Sequence, residues 1–267
     1  MNHQRFVLAL LLWLFAAMEG SVAAAPSDAN GGGRVLFVGN SLTYVGNLPA
    51  VFDALSGRSE SDMASDMIVA PGATLTERVA DGTVERALAT RKYRFVVLQE
   101  RGGDLACGFG PQVCANAQEA LRVLAHLART YAAKPILLGT YQGTPAASRR
   151  VASAEAAAAA EVGIPYVRVA EPFMQLRDRN PRMSWFAADG MHPGADLTLL
   201  EAILLFREVC GSDPSVRAIS VRAPIYSFHT PLKPELRSSH ESSDLPGVSK
   251  GISYESTRMV ALLEVSE

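Results

Sequence analysis

Short apolar runs alternate along the chain with longer segments of helical period. Val35 to Val38 is unbroken and apolar, the pattern of a strand buried on both faces. Pro49 to Leu55 reads as a short helix, with Asn47 near its cap and Pro49 in its first turn. Met67 to Ala70 is a second strand that ends at Pro71-Gly72-Ala73, and a helical stretch follows from about Leu75 to Thr90. Tyr93 to Gln99 is the third strand. Asn116 to Ala132 is an amphipathic helix with Ala120, Leu121, Leu124, Leu127 and Ala128 on one side. Lys134 to Thr140 is the fourth strand, residues 147–162 an alanine-rich helix, Ile164 to Val169 the fifth strand and Leu197 to Val209 the last long helix.

Strands alternating with helices imply βαβ units, so the expected fold is α/β: a three-layer α/β/α sandwich around a parallel sheet of about five strands. No internal repeat is present. The α/β domain is expected over residues 34–212, followed by a C-terminal extension, 213–267, that packs on the domain or loops over it. Residues 231–251, rich in Ser, Pro and charge, read as a surface loop, and Met259 to Val265 as an edge strand or a segment packed back on the domain.

The N-terminus has a different character. Arg5 precedes an apolar run of about 13 residues, Phe6 to Met18, and Ser21-Val-Ala-Ala-Ala25 supplies a small-residue cleavage site. Residues 1–25 therefore read as a signal peptide and 26–33 as a flexible leader, with an uncleaved anchor as the alternative. The expected location is periplasmic or secreted, with no stable membrane span after cleavage. Roughly 240 residues remain, enough for one large domain. The net charge of −2 gives no basic field, so nucleic acid is not an expected partner. Cys107 and Cys114 flank a short loop that can close as a disulfide in an oxidising compartment, with two free thiols as the alternative. Cys210, at the end of an apolar helix, reads as buried, and three cysteines so scattered make no zinc site.

Two loops carry candidate chemistry. Gly39-Asn-Ser41 follows the first strand, and a serine there is held at the rim of a sheet, where open α/β folds place their sites. An ordinary strand-to-loop turn is the plainer reading of the same residues. Far downstream, Asp189-Gly-Met-His192-Pro places a carboxylate three residues before the one histidine that follows a parallel strand. Asp189 can accept the Nδ1 proton of His192 and leave Nε2 free to take a proton from a serine. The plain alternative is a loop whose Asp caps the next helix. Trp185 and Phe186 read as core or pocket lining, and Glu100 and Arg101 as exposed loop charges or substrate contacts. Gly247-Val-Ser-Lys-Gly251 matches a nucleophile-elbow pattern, but no buried strand precedes it and no histidine follows it. There is no Gly-rich nucleotide motif, and no cofactor is expected.

Taken together, G-N-S-L-T after a buried strand and D-G-M-H-P near the end of the α/β unit resemble the SGNH (GDSL-like) hydrolase family over roughly residues 34–210. The resemblance implies Ser41 as nucleophile, with Asp189 and His192 completing a triad. It also implies an oxyanion hole from the N–H groups of Ser41 and Gly72 and an asparagine side chain after the third strand. That asparagine is missing. Gln99, at the strand's carboxyl end, is the expected substitute, and Asn40 stands where many members carry Asp. The expected activity is hydrolysis of a small-molecule, lipid or glycan ester through an acyl-enzyme, without metal. The alternatives are acyl transfer to a sugar, or a weakly catalytic glycan-binding protein on the same fold.

Overall fold

The computed structural model describes residues 33–57 and 63–264. The expected signal peptide and nearly all of the leader lie outside these residues. The elements run in chain order: β1 (Gly33–Gly39), α1 (Ser41–Tyr44), α2 (Leu48–Ser56), β2 (Met63–Val69), α3 (Leu75–Ala80), α4 (Thr83–Thr90), β3 (Phe95–Leu98), α5 (Pro111–Thr130), β4 (Lys134–Leu138), α6 (Pro145–Val162), β5 (Tyr166–Val167), α7 (Ala170–Arg179) and α8 (Ala195–Cys210). The C-terminal extension adds β6 (Ile219–Val221), β7 (Ile225–Tyr226), β8 (Arg237–Ser238), β9 (Val248–Ser249), β10 (Ile252–Tyr254) and α9 (Ser256–Leu263).

The main sheet has the order β5-β4-β3-β1-β2-β8. Five strands are parallel, as the βαβ alternation requires, and β1 is central, pairing β2 on one side and β3 on the other. The sixth strand, β8, is antiparallel and comes from the extension, through Asp66↔Ser238 and Met67↔Arg237. Alternation along β1 builds the two cores on either side of the sheet. Val35 and Phe37 face the apolar sides of α2 and α8, whereas Leu36 and Val38 face Leu121 and Leu124 of α5.

Several local expectations are revised. The single helix expected over 75–90 is two, because Gly82 at φ +64° breaks it, and the Asp81 carboxylate at the end of the first accepts from Thr83 N–H at the start of the second. The stretch over 231–251 is not a free surface loop, since it contains β8 and β9. Of the two readings for the end of the extension, the packed segment holds and the edge strand does not: Met259 and Leu262 of α9 are fully buried in the core beside α8. Helix α7 escapes pattern reading because its buried residues, Ala170, Phe173 and Leu176, are few along an otherwise polar stretch. Cys107 and Cys114 form a disulfide, with Cα atoms 4.7 Å apart, and Phe109 is exposed between them with the Arg101 guanidinium 4.4 Å over its ring.

Candidate active site

The turn that carries Ser41 is built by the sharp reversal at the end of β1. A Cβ on Gly39 would stand 2.2 Å from Thr43 Oγ1, so only glycine lets the chain fold back this closely. Asn40 is extended and caps α1, its Oδ1 accepting from Leu42 N–H at 2.9 Å. An Asp would make the same cap, and the Asn40 Nδ2 is buried without a hydrogen-bond partner among the described residues. Ser41 thus opens a short helix at the carboxyl end of the central strand.

The second loop closes on itself. Ala187 N–H donates to His192 O at 2.9 Å, Gly190 N–H to Ala187 O at 3.0 Å, and Gly194 N–H to Trp185 O at 2.9 Å. Asp189 Oδ1 accepts from the backbone N–H groups of Met191 and His192, at 3.0 and 3.1 Å. Its Oδ2 pairs with His192 Nδ1. The other ring nitrogen, Nε2, lies 2.8 Å from Ser41 Oγ. The structure therefore joins Ser41, His192 and Asp189 in one line, from residues 151 positions apart in the chain. Partial burial pushes the Asp189 carboxyl up, but the hydrogen bonds from His192 and Met191 outweigh it and hold the group below its ordinary value. It stays ionised, as an orienter of a histidine should.

Gly72 lies three residues past the end of β2, which is paired to β1 through Gly39↔Val69, so its turn and that of Ser41 share the same sheet edge. It has φ +63° and open space where a Cβ would stand. Thr74 begins a capping box with Glu77 that starts α3 beyond it. The buried Glu100 carboxyl group accepts from Leu75 N–H at 3.3 and 3.2 Å, tying this loop to the end of β3. Glu100 is thus an internal cap and not an exposed charge, and Arg101 is committed to the buried Asp104. Trp185 is core, packed edge-on against Phe173, with Phe186 half-buried beside it.

Gln99 directly follows β3, beside the turn that carries Ser41. Its Oε1 accepts from Thr43 Oγ1 at 2.5 Å, and its Nε2 is buried without a hydrogen-bond partner among the described residues. Through Thr43, Gln99 braces the turn that carries Ser41. Behind it stands Glu201, fully buried, whose carboxyl is pushed well up by burial, with the Gln99 carboxamide opposing the shift.

Buried carboxyls of this kind make stability depend on pH. Burial raises Glu100 to about 8 and Glu155 to about 7, and raises Glu201 as well. Between their unfolded values near 4.5 and these folded values, the native state holds more protons than the unfolded one, so stability falls as pH rises. His240 acts in the same direction: its hydrogen bond to Asp53 raises it, a contribution present below about 6.5 and lost as pH rises through the folded value. Melting followed by circular dichroism is expected to give a Tm lower by about 5 °C or more at pH 7.5 than at pH 5.5. A flat or rising Tm over that range would contradict the protonated state of these groups.

Among the described residues, no group of three or more His, Cys, Asp or Glu side chains is placed to hold a metal ion, and no helix is long and apolar enough to cross a membrane. No protein-family model and no curated protein matches the sequence. Solved structures are similar in fold. A variant of an acetyl xylan esterase from Geobacillus stearothermophilus superposes with TM-score 0.55 at 16% identity, covering 69% of this chain and 97% of that one. An α/β hydrolase enzyme from the metagenome of Lake Arreo, Spain, gives 0.54 at 16%, over 65% and 93%. A DUF4886 family protein from Bacteroides uniformis gives 0.53 at 13%, over 68% and 84%. Three structures of the Geobacillus esterase are of catalytic mutants, in which a serine, an aspartate or a histidine is replaced by alanine. The likeness shows a shared architecture, and this chain has the SGNH hydrolase-like α/β/α fold.

Proposed function

We infer that the protein is an exported serine esterase that removes acetyl groups from a carbohydrate. The observation that carries this reading is the placement of His192 Nε2 2.8 Å from Ser41 Oγ, with Asp189 on the other ring nitrogen. In the Geobacillus esterase the mutated catalytic aspartate and histidine are likewise three positions apart, and its substrate class is the source of the acetyl assignment. Export rests on the N-terminal apolar run and cleavage site.

In the proposed reaction His192 Nε2 takes the Ser41 proton as Oγ bonds to the ester carbonyl. The N–H groups of Ser41 and Gly72 receive the oxyanion, and the Gln99 carboxamide is the candidate third donor. The C–O bond to the sugar then breaks, and the leaving oxygen takes the proton from Nε2. Water enters, Nε2 removes its proton, and collapse of the second intermediate releases acetate and returns the proton to Ser41. Asp189 stabilises the imidazolium in both halves without itself taking a proton.

The test is acetate release from acetylated xylo-oligosaccharides, beside p-nitrophenyl acetate, butyrate and octanoate. Acetate release and a preference for the acetyl ester are expected. Turnover of octanoate without acetate release would move the substrate to lipid esters. An acetylated free sugar formed from an added acceptor would identify transfer in place of hydrolysis.

A further inference from the structure

The C-terminal extension touches the site directly. The ring of Phe228 stacks on the imidazole of His192, with centroids 5.7 Å apart and planes 6° from parallel. This is the offset-stacked range of aromatic pairs. The turn that presents Phe228 is hung on the helix that carries Ser41. Gly46 N–H, just past α1, donates to Tyr226 O at 3.0 Å, and the hydroxyl of Tyr44, in α1, donates to Thr230 O at 3.2 Å. The turn is closed internally by Thr230 N–H to Ser227 O at 3.0 Å and Ser227 N–H to Thr230 Oγ1 at 3.1 Å. A second brace reaches the base loop, where Arg258 of α9 pairs at 3.0 Å with Asp196, whose carboxylate also accepts from Ser184 N–H.

We propose that residues 226–230 are a strap that fixes the catalytic imidazole, with Phe228 as the positioning residue. The inference rests on the esterase reading above. Asp189 and Ser41 hold the imidazole at its two nitrogens, which define one axis and leave the ring free to rock about it. A flat neighbour on one face removes that freedom. The imidazole also gains a proton as Ser41 attacks, and an aromatic face attracts a cation more than a neutral ring, so the contact strengthens toward the transition state. Its loss therefore falls on kcat.

The experiment compares Phe228→Ala, Phe228→Leu and Phe228→Tyr with wild type and Ser41→Ala on p-nitrophenyl acetate, with Tm measured for each. Ala and Leu are expected to lower kcat about 10-fold with KM within about twofold, while Tyr restores kcat. Leucine keeps the packing volume without the π face, so it tests the strap even if the alanine variant does not fold. Wild-type kcat in the leucine variant, or a loss confined to KM, would overturn the positioning role while leaving the esterase reading intact. Wild-type turnover in Ser41→Ala would overturn both.

Discussion

Ser41→Ala and His192→Ala are each expected to lower kcat for p-nitrophenyl acetate by about 10⁴-fold or more, with the folded state preserved. Both side chains lie at the sheet rim, and neither fills the core, so the loss is chemical and not structural. Without Oγ there is no nucleophile, and without Nε2 the serine proton has no acceptor at 2.8 Å. The double variant should be hardly worse than either single one, because the two groups act as a unit. Asp189→Asn keeps the shape of the loop but presents a donor to Nδ1, which selects the wrong tautomer and should cost on the order of 10³–10⁴. A His192→Ala protein retaining a tenth of wild-type kcat would mean that another group accepts the proton.

Asn47→Ala should be the most damaging single change to stability close to the site, at about 3–4 kcal/mol. Asn47 is fully buried with φ +53°, a left-handed conformation that Asn tolerates far better than Ala. Its Oδ1 caps α2 by accepting from Ala50 N–H, and its Nδ2 donates to Pro224 O at 2.7 Å and Ser239 O at 2.8 Å. One truncation removes the cap, strains the backbone and orphans two buried carbonyls of the extension. The extension has further ties at this point, where buried Asp53, which also accepts from Ser65, accepts from Ser239 Oγ at 2.7 Å and pairs with His240 Nε2 at 3.3 Å. Calorimetry should show Tm lower by about 10 °C. A change under about 2 °C would mean that the extension docks independently of these bonds.

The parts legible in the sequence share a physical cause. A central parallel strand is apolar on both faces, so Val35 to Val38 stands out as a run, and the glycine that ends it marks the site edge. Asp189 and His192 are legible because their pairing is local, three residues apart. The extension is not legible, because β7, β8 and β9 are two residues long and carry no periodicity. Their places are set by partners far away in the chain, such as Asp66 for Ser238 and Gly46 for Tyr226. The same holds for Glu100, whose charge is expected at a surface until Leu75 N–H is placed beside it. Phe228 gave no signal at all, since a lone aromatic in a polar tail has no pattern to betray its partner.

The most direct measurement is covalent trapping. The intact protein is treated with a fluorophosphonate, and the modified residue is mapped by peptide mass spectrometry. The predicted result is a single adduct on Ser41, formed rapidly in wild type, absent in Ser41→Ala and at least about 10³-fold slower in His192→Ala. No adduct on Ser41, or one formed equally fast without His192, would contradict the triad and with it the hydrolytic function.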